Sequence, residues 1–199
     1  MLVKLFILGR PGCGKSSAAR YIIDRVYNDW SAHRFKDFDI LYEMFKKDKL
    51  QEQFRPSKYG GFDVLDPKVL DAALEQLNKD LTQHLAKAAD NELFIIEFAR
   101  EDYNDALKFF SPNVSQDAFV ICIESDLETC IHRIQQRMIN PIPPDDHYIA
   151  EETVRTFYTH EHFPIGDNIL KRKYVVDNRG LLDDFINVID HIADNIFKK

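Results

Sequence analysis

No apolar run in the chain approaches the roughly 18 residues that would suggest a membrane span, so a membrane protein is not expected. Basic residues are also in short supply: 26 Lys and Arg face 33 Asp and Glu, a formal net charge of −7. A general nucleic-acid binder is thereby disfavoured, because duplex affinity comes largely from clustered Lys and Arg meeting phosphates. A local basic pocket stays compatible with that balance. Cysteine is scarce. Cys13, Cys122 and Cys130 are odd in number and show no CxxC spacing, so neither a zinc site nor a disulfide framework is implied. They read as reduced thiols in a cytosolic protein. His84, His132, His147, His160 and His162 lack zinc spacing apart from a loose His160-x-His162 pair, and no role is assigned to them. Repeats and low-complexity segments are missing as well. So is a small-residue cleavage site after the apolar opening Met1–Leu8, which makes that stretch a buried strand of a cytoplasmic protein rather than a signal peptide.

What the chain has in abundance is alternation. It has 199 residues, 45% hydrophobic and 30% charged, a length that one core can support. Short apolar runs alternate with amphipathic stretches throughout, which predicts an α/β fold with a parallel sheet wrapped by helices. Four runs read as buried strands: Leu2–Leu8, Leu93–Phe98, Ala118–Ile123 and Lys173–Val176. A less apolar fifth spans Arg34–Phe38. Leu2–Leu8 is expected at the sheet centre between Leu93–Phe98 and Ala118–Ile123, with ligands at the carboxyl ends of these strands. Leu70, Leu74, Leu77, Leu81 and Leu85 form one stripe of a helix that Asp66-Pro67 starts. A C-terminal helix after Gly180 turns Leu182, Phe185, Ile189, Ile192 and Ile196 inward. Phe54–Asp63 and Asn140–Asp146, rich in Pro or Gly, are expected as loops. The whole reads as a single domain, 1–199, with a mobile insertion.

Gly9-Arg10-Pro11-Gly12-Cys13-Gly14-Lys15-Ser16, followed by Ser17, fits the pattern GxxxxGK[ST]. Glycines let the backbone curl so that successive N–H groups face phosphate oxygens, and the following helix adds the positive end of its dipole. Lys15 would reach the outer phosphates of ATP, and the Ser16 hydroxyl would ligate Mg²⁺. The setting is the one this mechanism requires: a buried strand directly before, and a helix from Lys15 to about Trp30 directly after. Cys13 sits at a helix N-terminus, where a thiol pKa can fall; it reads as a spacer.

Other residues separate the users of such a loop. The guanine-reading NKxD sequence is absent; the chain reads Val175-Val176-Asp177-Asn178-Arg179-Gly180 instead. A motor-type ATPase generally has a strand ending in an acidic pair, whereas Ile95-Ile96-Glu97-Phe98-Ala99-Arg100 carries one acid and then an arginine. With these residues in place, the chain resembles the nucleoside monophosphate kinase (adenylate kinase-like) and shikimate kinase branch of P-loop proteins over nearly its full length. Ile123–Arg137 is similar to the segment leading into the family's LID, and Asp145-Asp146-His147 with Glu151–Tyr158 to its exit. The resemblance implies a LID at about 133–158 whose Arg133, Arg137 and Arg155 close over the transferring phosphate. It also implies an acceptor-binding insertion at about 40–90, and Asn178 and Arg179 beside the adenine. Asn140–Pro144 departs from the pattern: it is short, proline-stiffened and without a zinc-binding cysteine cluster.

The acceptor stays open between two classes. Asp37-Phe38-Asp39 resembles the shikimate-type Asp-x-Asp, in which the first carboxylate helps hold Mg²⁺ and the second meets the substrate hydroxyl. Both would face the site if the strand persists; otherwise Asp39 caps a helix. Arg55, in the insertion, and Arg100 suit an acceptor phosphate instead. Three LID arginines plus these two favour a nucleoside monophosphate. Glu97 reads as a ligand to a Mg²⁺-bound water, since an unpaired buried acid would cost several kcal/mol. Phe38, Tyr42, Phe45, Phe54, Tyr59 and Phe62 are expected mainly as packing. The expected partners are small molecules, with neither nucleic acid nor membrane, for a monomer or homodimer. A switch that binds ATP without transferring its phosphate is the non-enzymatic alternative.

Overall fold

The computed structural model describes residues 1–26, 29–57, 60–139, 148–163 and 170–197. In chain order the elements are β1 (Leu2–Leu8), α1 (Lys15–Arg25), β2 (Ser31–Lys36), α2 (Asp37–Lys47), β3 (Phe54–Pro56), β4 (Phe62–Val64), α3 (Lys68–Leu85) and β5 (Glu92–Phe98). There follow α4 (Tyr103–Leu107), α5 (Pro112–Ser115), β6 (Ala118–Glu124), α6 (Leu127–Arg137), α7 (Glu151–Phe157), β7 (Leu170–Asp177) and α8 (Leu182–Phe197). Five strands form one parallel sheet in the order β2-β5-β1-β6-β7. From β1 the chain crosses to the edge at β2, returns through β5 beside β1, and then passes over to β6 and β7 on the other side; the crevice at the carboxyl ends beside β1, where the direction changes, is where such sheets bind ligands.

Strand periodicity builds two cores. Val3, Leu5 and Ile7 of β1 face α1 and α8, packing with Ala18, Ala19, Ile22, Phe185 and Ile189. Phe6 and Leu8 face the other way, toward Leu74, Leu77 and Leu81 of α3 and Tyr103 and Leu107 of α4. Both faces being covered explains the near-continuous apolar runs of β1, β5 and β6.

Several expectations change. The fifth strand covers 31–36 rather than 34–38, because Asp37 and Asp39 place negative charge in the first turn of α2, where the helix dipole favours it. The N-cap is Lys36, not Asp39. The helix after the phosphate loop ends at Arg25, before Trp30. Within 54–63, Phe54–Pro56 and Phe62–Val64 pair as an antiparallel hairpin, with Pro56 at a strand end where its missing N–H costs little. Leu182 is exposed, in the first turn of α8, and the inner face is completed by Ala193 and Phe197. Leu70 and Leu85 are half-buried at the rims of the α3 stripe. Asn140–Asp146, Tyr59 and His147 lie outside the described residues.

Candidate active site

The glycine-rich loop, expected to bind phosphates, leaves β1 at Gly9 and enters α1 at Lys15. Gly14 is its N-cap, at φ 112, a conformation costly for any residue with a Cβ. A Cβ there would also sit 2.5 Å from Asn178 Nδ2. Asn178 is buried and braces the loop from beneath: its Nδ2 donates to the Cys13 carbonyl at 2.7 Å and its N–H to the Glu124 carbonyl at 2.7 Å. Arg179, expected with it beside a base, is exposed and paired with Asp177. Gly12, at φ +85, lies directly on α6; a Cβ would collide with the Cys130 carbonyl oxygen and reach the Cys130 carbonyl carbon at 3.0 Å. Lys15 Nζ donates to the Gly9 carbonyl at 2.5 Å and the Arg10 carbonyl at 3.1 Å. Cys13 is fully buried. Burial pushes its thiol pKa up, against the pull of Lys15, so the lowering expected at a helix N-terminus is outweighed by desolvation.

A cavity of about 150 Å³ opens at the carboxyl ends of the strands. Gly12, Gly14, Lys15 and Ser16 form one side, and Asp37, Phe38 and Leu41 of α2 with Phe62 and Val64 of β4 form another. Glu97 to Arg100 make the floor, and Ile134, Arg137, Ile149 and Tyr158 close it from the α6–α7 side. Phe38 and Phe62 stack on each other, centroids 5.6 Å apart, within an aromatic cluster that includes Tyr42, Phe45 and Phe54.

Two buried ion pairs contribute Asp37, Arg100 and Glu97 to this cavity. Arg100 Nη1 donates to Asp37 Oδ2 at 2.6 Å and to the Ala99 carbonyl at 2.6 Å, while Nη2 donates to the Leu70 carbonyl at 2.6 Å. The guanidinium is thus fixed by two elements and the backbone, and it presents Asp37 to the cavity. Glu97, with a side chain only 4% exposed, is gripped by Arg34 through Nε and Nη2. The cost of an unpaired buried acid, the ground for giving Glu97 to a Mg²⁺-bound water, is met here by a cation on the neighbouring strand. Lys36 pairs with Glu97 in register, and Arg34, two residues earlier, shares its strand face. Replacing Arg34 by Met would leave Glu97 charged and unpaired; we expect a loss of about 3–5 kcal/mol in unfolding free energy, measured by urea titration. Tyr158 borders the Asp37–Arg100 pair, and burial pushes its pKa up to about 12, with Arg100 lowering and Asp37 raising it.

The other proposed residues lie elsewhere. Asp39 cannot share a face with Asp37 once both are helical; it pairs with Lys36 at 3.2 Å. Arg55 pairs with Asp63 on the hairpin at 3.0 Å, outside the cavity lining. Of Arg133 and Arg137, only Arg137 lines the cavity. Arg155 is held on the helix surface by Glu128 at 2.6 and 2.8 Å and by Glu151 at 2.9 Å. Sequence reasoning missed Arg34, Tyr103, Tyr158 and Glu161. A signal existed for Arg34 alone, since a buried acid on a central strand demands a cation next door.

No protein-family model matches the chain, and no curated protein matches it. Solved structures do. A sugar kinase from a Janibacter species aligns with TM-score 0.62 at 13% identity, covering 98% of this chain and 94% of that one. Kti12 from Chaetomium thermophilum, in complex with ADP-AlF3, aligns with TM-score 0.60 at 14% identity over 98% and 99% of the two chains. A shikimate kinase from Acinetobacter baumannii, in complex with shikimate, aligns with TM-score 0.53 at 12% identity over 100% and 97%. The protein thus shares the α/β P-loop NTPase fold with these structures; in this chain it is a five-stranded parallel sheet with helices on both faces. No helix among the described residues is long and apolar enough to cross a membrane.

Proposed function

We propose that the chain is an ATP-dependent kinase that transfers the terminal phosphoryl group to a hydroxyl of a small acceptor. One observation carries the choice of acceptor: Asp37 lies in the same cavity as Lys15 and Ser16, with Oδ2 held by Arg100. That leaves Oδ1 to orient a hydroxyl and take its proton. Phosphoryl transfer needs mainly alignment and positive charge, because its loose transition state involves little covalent change at the acceptor. Lys15 and Arg137 supply the charge. The sugar kinase and the shikimate kinase that share the fold are, by name, kinases of hydroxylated small molecules. The apolar wall of Phe38, Leu41, Phe62 and Val64 suits an acceptor with a flat or apolar face.

Mg²⁺ fits the residues present. Ser16 offers a hydroxyl, and Asp37 and Glu97 offer carboxylate oxygens to its hydration shell, in keeping with a cation that keeps several waters and binds through few protein ligands. When bound, it neutralises charge on the outer phosphates. In this reading α2, the β3–β4 hairpin and α3 form the acceptor-binding insertion, and the region from α6 to α7 forms the LID. Arg137→Ala is expected to lower turnover by about 10- to 100-fold with a smaller change in ATP affinity, since its contact strengthens as charge develops. Equal losses in kcat and affinity would make it a plain binding residue.

The nucleoside monophosphate reading loses part of its basis, because Arg55 and Arg155 are paired away from the cavity and both terminal nitrogens of Arg100 are engaged. An ATP-consumption screen over nucleosides, sugars, hydroxy acids and nucleoside monophosphates tests the proposal. Turnover of a hydroxyl acceptor supports it; turnover confined to monophosphates establishes the nucleotide reading. ATP binding without transfer to any of them leaves the switch.

A further inference from the structure

Glu161 is a buried acid at the phosphate loop that the reaction just described does not use; its side chain is 4% exposed. It stands on the short stretch after α7, which docks against residues 101–103. There the Tyr103 N–H donates to the His162 carbonyl at 2.9 Å and the His162 N–H to the Glu101 carbonyl at 2.7 Å. From that base, Glu161 Oε2 accepts from Arg10 Nε at 3.2 Å, and Oε1 accepts from the Tyr103 hydroxyl at 3.1 Å. The same hydroxyl oxygen accepts from the Gly9 N–H at 2.9 Å. One carboxylate therefore holds both residues that open the loop, Arg10 by its side chain and Gly9 through Tyr103.

These are also the two residues whose carbonyls accept from Lys15. A nucleotide that draws Lys15 to its phosphates removes both of those bonds at once. We propose that Glu161 is a positioning residue for the phosphate loop, keeping the Gly9–Arg10 peptide in its binding shape through Arg10 and Tyr103 when Lys15 turns to the nucleotide. The inference rests on the phosphate-loop reading. It deepens that reading by giving Arg10 a place beneath the loop rather than on the phosphates. Burial raises the Glu161 pKa while Arg10 and Lys15 pull it down, so its charge is felt at the Lys15 end of the site. That charge alone works against an anionic ligand. Positioning and plain electrostatics therefore predict opposite signs when the charge is removed.

Glu161→Gln keeps the shape and an acceptor for Tyr103 but loses the charge-assisted bond from Arg10. Affinity for Mg-ADP, measured by calorimetry on protein whose melting curve shows it folded, is expected to weaken about tenfold. Tyr103→Phe, which leaves the buried Gly9 N–H without its acceptor, is expected to weaken it by a similar factor. In Arg10→Met protein, adding Glu161→Gln is expected to cost about twofold or less, because Gln still accepts from Tyr103 and the contact with Arg10 is already gone; a further loss of about tenfold there would overturn the route through Arg10. Unchanged or tighter ADP binding in Glu161→Gln overturns the proposal, being what electrostatics alone gives. If that variant does not fold, unchanged affinity in Tyr103→Phe overturns it equally. Wild-type protein that binds no ADP sinks the phosphate-loop reading and this inference together. Binding that is lost in Lys15→Ala but unaffected in Glu161→Gln sinks only the inference.

Discussion

Replacing Lys15 with alanine is expected to lower phosphoryl transfer by about 10³-fold or more while leaving the fold intact. The side chain makes no core contact; its two bonds go to carbonyls of its own loop. Removing it therefore takes little from stability, and melting temperatures of the two proteins should agree within a few degrees. What disappears is the positive charge that the proposed reaction brings to the oxygens where negative charge builds. In a site partly closed from water such a charge is worth far more than in solution. Single-turnover assays with the acceptor found by the screen measure the loss directly. A folded Lys15→Ala protein with wild-type turnover would show that the loop does not hold the reacting phosphates.

Asp37→Asn is expected to cost about 10²- to 10⁴-fold in turnover and to spare ATP affinity. Asparagine keeps an oxygen for Arg100 Nη1, so the buried contact survives in part, but it neither takes a proton nor balances the guanidinium. Some stability is lost, about 1–3 kcal/mol for a charge-assisted bond made neutral. The informative comparison is with Arg100→Met, which leaves Asp37 present but loosely held. If the carboxylate acts on a hydroxyl, Asp37→Asn slows turnover more than Arg100→Met does. If the acceptor is a phosphate, the order inverts. A small Asp37 effect beside a large Arg100 effect would overturn the hydroxyl reading.

The order of the sheet was legible because β1, β5 and β6 are buried on both faces and so read as unbroken apolar runs. The edge of the sheet was harder. β2 carries His33, Arg34 and Lys36 among its six residues, and only its neighbours revealed it. Its end was misplaced because Asp-x-Asp reads equally as an alternating strand and as the acidic first turn of a helix. The glycine-rich turn from β1 into α1 was legible since its signal is local: glycines, a lysine and a hydroxyl in eight successive residues between an apolar run and a helix. The cavity was not, because it is made by residues distant in sequence, such as Arg100 and Asp37 at a separation of 63. Arginine spacing in α6 and α7 gave three candidates for anions, and nothing in the spacing showed that Arg155 would be taken by Glu128 and Glu151.

Gly12 carries a consequence for how the site can close. With no side chain at that position, the loop rests directly on the Cys130 carbonyl, early in α6. The helix is pinned near its own start, and Arg137 lies seven residues farther on, roughly 10 Å along the axis. A helix anchored so close to Gly12 cannot swing away without dragging the loop with it. In the reaction proposed, Arg137 would reach its target by turning about its own side-chain bonds, a nanosecond search, rather than by the slower travel of a hinged arm. On that side of the site, turnover should be insensitive to solvent viscosity, since no large body has to be pushed through water before each transfer.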